Sequence, residues 1–426
     1  MDLVIERVDY ITEKSYSADP APRYMRHEKT IELDCEAFFR DDEYSKNYIR
    51  KQRARRITMR DYPQLKTDCE SIRSRGYYPK KPLSQMEADF PLAFSKVVYT
   101  DYLYLETLFR LEYAPQNVYC FTVDVKADPL FKKRIKDLQS CFPDNIIISK
   151  VEYNVSNHGY NLSSANWACV EEIKDRKWEY VFLLQNFDVK IKTNAELVRI
   201  LKTYDGANDV SSLIAKTSLY DVKYNWTFAS LNLFKDPMKN ADKDSNGKLQ
   251  SLRITKSLSE VTLSRAAANY ILNNMNLTTY IKVLERGRYA MDEFFITSLN
   301  SNENVKLPGG YTTKCLDKGY QQWGLTRLTT WYYNKTKCKS HHWRHYICIF
   351  GMEDLRWVDQ SKYFFANKIM AYFDFGALDC MLERVYNRTY FSKDPFFDLS
   401  LYENLPQVRY HKMRKEGRDL SQFNCT

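Results

Sequence analysis

Acids that close apolar runs are the first residues with chemical potential. "NVYCFTVDV" ends at Asp124, and "WEYVFLLQNFDVKIKTN" delivers Asp188 from an apolar run into a polar one. A carboxylate there can face a ligand beyond a strand end, or it can serve a turn or cap the next helix. In "RYAMDEFFITSL", Asp292 and Glu293 stand just ahead of an apolar stretch, where acids complement a helix dipole or accept protons. "CKSHHWRHYICIFG" sets His341, His342 and His345 between Cys338 and Cys348. His341 and His345 suit zinc if the segment is helical; a short disulfide loop is the other reading, and the dispersed cysteines favour it. GxGxxG and GxxxxGK[ST] loops are absent, which argues against dinucleotide-binding and P-loop enzymes.

The elements that must hold these residues follow from periodicity. "FPLAFSKVVYTD" reads as a strand and "YLYLETLFRLEYAP" as a helix with apolar residues at i, i+3 and i+4. "NVYCFTVDV" is the next strand, and "DPLFKKRIKDLQSCF" a helix with Pro129 in its first turn. "NIIISKV", "SSANWACVEEIKDRK", the strand before Asp188 and "NAELVRILKTYDG" continue the alternation, the last closed by Gly206. Strand and helix in alternation mean an α/β fold with a parallel sheet. Asp124 and Asp188 then fall at carboxyl ends of strands, where ligands bind in such sheets.

The chain has 426 residues, 44% hydrophobic and 28% charged, which suits one large α/β domain or two smaller ones. Residues 1–63 are polar and irregular and read as an N-terminal stem or extension. No apolar run approaches the roughly 18 residues of a membrane span, and the start lacks the order of a signal peptide. The chain is therefore expected to be cytosolic or an incomplete form. Ten dispersed cysteines and seven N-x-[ST] sequons favour the secretory route, hence the second. The net charge of +10 and "KNYIRKQRARR" invite a nucleic-acid reading. The run is isolated and no RNA- or DNA-binding pattern accompanies it, so a solvated helix face is expected and no nucleic-acid partner.

"FPLAFSKVVYTD", "YAPQNVYCFTVD", "LLQNFDVKIKTN", "DEFFITSL", "CIFGMEDLRW" and "FFANK" occur in this order. Together they resemble the core-2/I-branching β-1,6-N-acetylglucosaminyltransferase family, most of all its divergent invertebrate members. The resemblance runs from about Cys69 to Cys380.

It implies a GT-A-type glycosyltransferase fold with a Rossmann-like, mostly parallel sheet, with residues 64–390 as catalytic domain and 391–426 as C-terminal extension. It implies an inverting Golgi enzyme that moves N-acetylglucosamine from UDP-GlcNAc to the 6-hydroxyl of a galactose or N-acetylgalactosamine on a glycan or glycoprotein. Members are type II membrane proteins, and an anchor is not evident in this sequence. The resemblance implies no cofactor and no metal, and "QNFDV" carries one acid where metal-dependent relatives have Asp-x-Asp. Glu293 matches the base that takes the acceptor proton. Val97 and Asp124 match contacts to the uridine side, and Asp188 is expected to shape the donor pocket or its loop rather than bind metal. Lys368 and Arg344 are expected to offset the diphosphate charge; the family's arginine offset falls on His345, so Arg344 fits through a one-residue insertion.

"RLTTWYY" resembles the acceptor segment, so Trp331 and Tyr333 are expected either against the acceptor sugar or in packing. Ser211 stands where core-2 members carry an acceptor-binding carboxylate, which leaves the acceptor open. The resemblance also implies disulfides Cys35–Cys380, Cys69–Cys141, Cys120–Cys169 and Cys338–Cys348, with Cys315 and Cys425 unassigned. Two alternatives stay open: a xylosyltransferase-like enzyme using UDP-xylose, and a sugar-binding protein that kept the fold without catalysis.

Overall fold

The computed structural model describes residues 20–392 and 397–426. Four strands alternate with helices at its centre: β1 (Leu92–Val98), β2 (Val118–Val123), β3 (Ile146–Ile148) and β4 (Tyr180–Gln185). The strands β5 (Val189–Lys190), β6 (Leu213–Ile214), β7 (Thr255–Lys256), β8 (Val261–Ser264), β9 (Arg327–Thr329), β10 (Trp343–Arg344), β11 (Ile347–Cys348) and β12 (Phe365–Asn367) follow. The main sheet has the order β3-β2-β1-β4-β8, parallel from β3 to β4 and closed by antiparallel β8. Every residue of β1 and β2 is buried. That continuous burial is why these strands read as apolar runs: helices cover a parallel sheet on both faces.

The covering helices carry local signals that set their ends. Asp128 caps Pro129–Cys141, with Pro129 at its start. Thr193 and Glu196 form a reciprocal capping box at Asn194–Tyr204. That helix ends in left-handed backbone at Asp205 (φ 49°) and then Gly206 (φ 103°). Asp61 reaches from outside the helix Tyr102–Glu112 and accepts from Tyr102 and Leu103 N–H at 2.7 and 2.6 Å. Beneath that helix, Lys96 of β1 pairs with both oxygens of Glu112 at 2.6 and 2.8 Å, buried.

From residue 20 on, the segment expected as a stem is packed against the last long helix, Ala371–Tyr390. Tyr24 Oη donates to Asp379 at 2.6 Å, Met59 N–H donates to the Ala371 carbonyl at 2.9 Å, and Cys35 is bonded to Cys380. Residues 1–19 lie outside the described part. In the basic run, Lys46, Arg50 and Lys51 are exposed, whereas Arg53 and Arg56 pair with Glu353. Beyond Tyr390, the helix Pro406–Lys415 packs Tyr410 into a small core, and Gln407 donates to buried Asp209.

Five disulfides are present. Four are the pairings the resemblance implied, and Cys315–Cys425, at a separation of 110 residues, is the fifth. Cys120–Cys169 ties β2 to the helix Leu162–Glu172.

A second sheet, β5-β12-β9, extends the fold where β4 ends. Beside it, β10 and β11 form a hairpin whose turn residues, His345 (φ 50°) and Tyr346 (φ 62°), both lie in left-handed backbone. Positive φ at both positions matches the twist of the flanking strands, and Cys338–Cys348 clamps the hairpin to the preceding loop.

Candidate active site

A cleft of about 510 Å³ opens at the carboxyl ends of β1, β2 and β4. Val97 and Asp124 line it on the sheet side. Val97, second to last in β1, packs on Leu162 and Ala165 of the helix that follows β3. Asp124 continues β2 by one residue: its N–H donates to the Val98 carbonyl at 3.0 Å. Its carboxylate accepts from Lys126 N–H at 2.8 Å and pairs with the Lys126 ammonium at 3.3 Å. The turn role and the cleft-wall position coexist in Asp124.

Asp188 does not line the cleft. It is fully buried in the turn between β4 and β5, accepting from Gln185 N–H at 2.7 Å and from the Asn367 amide at 2.8 Å. Each oxygen serves a different sheet, so Asp188 pins the end of β4 to β12 directly before Lys368. Its neighbours Gln185, Asn186 and Phe187, largely buried themselves, line the cleft in its place.

Basic side chains gather in the cleft as well. Lys368, Arg344, His345 and Arg327 all line the cleft. Burial, reinforced by the fields of Arg327 and Arg344, brings the Lys368 ammonium down to about 8, while Asp188 and Glu260 pull the other way. Arg344 donates to Tyr99 Oη at 3.2 Å and lies 5.4 Å from the centre of the Phe187 ring. Burial lowers the His345 imidazole, and Lys368 and Arg344 lower it further. The hairpin turn places Arg344 and His345 side by side, and only Arg344 brings a permanent positive charge.

Arg327 is 6% exposed and is held by Glu260 at 2.5 Å from beneath. Burial pushes the Glu260 carboxyl up to about 7 against the pull of Arg327. Sequence reasoning missed both. Arg327 stands four residues before Trp331 in "RLTTW", and Glu260 stands directly before the alternating segment "VTLS". A charged residue in or directly before a short strand signature was the available signal.

Glu293 sits in the one-turn helix Met291–Phe294, between the cleft and β7. Its carboxylate pairs with Lys256, and its carbonyl accepts from Ser257 N–H at 2.8 Å. Asp292 also lines the cleft, and burial raises its carboxyl. One cleft thus holds the carboxylates Asp292 and Glu293 together with the basic side chains Lys368, Arg344 and Arg327.

The acceptor candidates separate. Trp331 lines the cleft and bridges to Ile347. Tyr333 is 73% exposed and lies outside it. Ser211 is buried, accepting from Gly324 N–H at 2.8 Å. The histidines also diverge: His342 stacks on Phe373 at 4.1 Å and His341 is exposed. No set of three metal-ligating side chains converges among the described residues.

A mostly parallel α/β sheet with a cleft at its strand ends agrees with a glycosyltransferase fold of the GT-A type. The family model described as Core-2/I-Branching enzyme matches residues 92–359, and the chain belongs to that family. It is 29% identical over 334 residues to mouse beta-1,3-galactosyl-O-glycosyl-glycoprotein beta-1,6-N-acetylglucosaminyltransferase 4, covering 76% of this chain and 72% of the mouse protein. The rat enzyme numbered 3 is 27% identical over 379 residues, covering 83% and 84%. A bovine herpesvirus 4 (strain DN-599) protein of the same description is 29% identical over 347 residues, covering 79% and 76%. No described helix is long and apolar enough to cross a membrane.

Proposed function

We propose that the cleft transfers N-acetylglucosamine from UDP-GlcNAc to the 6-hydroxyl of a galactose or N-acetylgalactosamine, with inversion and without a metal ion. The observation that carries this reading is the meeting of Glu293 with Lys368 and Arg344 in one cleft. The relatives are named as β-1,6-N-acetylglucosaminyltransferases acting on β-1,3-galactosyl-O-glycosyl-glycoproteins. A sugar hydroxyl is a weak nucleophile, so Glu293 takes its proton as C1 is attacked from the face opposite UDP. Charge grows on the diphosphate as the bond to C1 breaks. Lys368 and Arg344 meet it in a partly closed cleft, where Coulomb terms exceed those in bulk water.

Val97 and Asp124 bound the uridine side, and Asp188 acts through the turn that it holds. Trp331 offers an aromatic face to the acceptor; Tyr333 serves the acceptor only at the rim. Five disulfides suit an oxidising lumen, which agrees with work in the Golgi.

Calorimetric titration of UDP-GlcNAc and of UDP-xylose in EDTA tests the donor assignment without any acceptor. Preferential UDP-GlcNAc binding is expected. Preference for UDP-xylose would move the enzyme to xylosyl transfer, and binding of neither would leave a fold without its donor site.

A further inference from the structure

Glu293 is held by a strand far from it in sequence. Thr255 N–H of β7 donates to Ser298 Oγ at 3.0 Å, and the Thr255 and Thr297 hydroxyls share a hydrogen bond of 3.0 Å. Ser257 N–H then donates to the Glu293 carbonyl at 2.8 Å. These three bonds fix β7 against the segment that carries Glu293. They bring the Lys256 ammonium onto Glu293 Oε2, with the Phe294 ring 5.6 Å away. Glu293 also borders the cleft.

We propose that Lys256 is the positioning residue of the general base: its ammonium holds one oxygen of Glu293, keeps the carboxylate ionised and leaves the other oxygen to the acceptor hydroxyl. The inference rests on Glu293 being the base. Its physical reason lies in the surroundings. A carboxyl in this pocket loses hydration, and burial does raise the adjacent Asp292. A cation in contact reverses that tendency.

Other charges surround the pair. Asp292 belongs to the same turn, Lys216 precedes the short helix Thr217–Leu219, Arg327 comes from β9, and Glu260 precedes β8. Among them Lys256 alone is ion-paired to the Glu293 carboxylate. Burial brings Lys256 itself down to about 8, with Asp292 opposing, so it remains cationic at neutral pH and below.

The test is the pH dependence of Glu293 labelling by a water-soluble carbodiimide, which attacks the protonated carboxyl, read by peptide mass spectrometry on the folded chain. In Lys256→Met the half-labelling pH should rise by about one to three units, and in Lys256→Arg it should stay at the wild-type value. Lys256→Gln is a second variant should the Met form fail to fold, and UDP-GlcNAc titration reports an intact donor site in each. The acid limb of kcat should move with the labelling curve, with donor affinity unchanged. A labelling curve unmoved in Lys256→Met and Lys256→Gln overturns the inference. Glu293→Gln separates the two ideas. If it turns over at the wild-type rate, the base assignment falls and takes the role of Lys256 with it. If it is inactive while the Lys256 variants keep the wild-type limb, only the role of Lys256 falls.

Discussion

Raising the pH from 7 to 9 should weaken UDP-GlcNAc binding about tenfold if Lys368 meets the diphosphate. The ammonium stands at about 8 in the cleft, held down by burial and by Arg327 and Arg344. A bound diphosphate stabilises the protonated form and raises that value, so affinity is fully present below 8 and is lost as the pH passes above it. At pH 7 about nine-tenths of Lys368 is charged and at pH 9 about one-tenth, a ratio of about ten, or about 1.4 kcal/mol. Isothermal titration in buffers of different ionisation enthalpy measures both the affinity and the proton taken up. Uptake at pH 8.5 should be about three-quarters of a proton per donor bound. Lys368→Met is the control: its affinity should be lower at pH 7 and flat to pH 9. A wild-type affinity that stays flat with no proton uptake would refute the contact between Lys368 and the diphosphate.

Other consequences concern the scaffold. Lys96→Met leaves Glu112 charged and buried, so denaturant unfolding should show a loss of about 3–5 kcal/mol; combining it with Glu112→Leu should restore much of that loss. An undiminished stability in the single variant would contradict the buried pair. Asp188→Ala strands the Gln185 N–H and the Asn367 amide, at about 1–3 kcal/mol for each unpaired donor, and should weaken donor binding with no rescue by divalent ions. Rescue by Mn²⁺ in the wild-type site, lost in Asp188→Ala, would instead make Asp188 a metal ligand. Replacing Cys315 and Cys425 by serine should lower stability by about 2–5 kcal/mol, with an unchanged unfolding midpoint as the contrary result.

The first half of the catalytic region was legible because each element there announces itself. Continuous apolar runs become β1, β2 and β4, and Pro129, Thr193 and Gly206 mark helix ends. Once the strands alternate with helices, Asp124 and Val97 must reach the same end of the sheet. The second half was read through motifs instead, because β7, β9 and β12 span only two or three residues and exist through their neighbours. No periodicity reveals strands so short. Lys256 and Arg327 ride on such strands and Glu260 precedes the four-residue β8, and so they escaped notice. Tyr333 shows the converse: in "WYY" it looks like Trp331, yet the chain turns into a 3-10 segment at Tyr332–Lys337 and carries it outward. Asp188 is buried in the loop beside the cleft rather than in its wall, since the bend between two sheets needs an acceptor on each side.

The most direct test compares the wild type with Glu293→Gln in EDTA. UDP-GlcNAc and a β-1,3-galactosyl-N-acetylgalactosaminide are supplied, turnover is followed by UDP release, and the product linkage is read by NMR. The wild type should form a β-1,6-linked product without metal, and the variant should be slower by about 10²- to 10⁴-fold while binding UDP-GlcNAc with unchanged affinity. Turnover of the variant at the wild-type rate would contradict the account, as would a wild type that binds the donor and transfers nothing until a divalent ion is added.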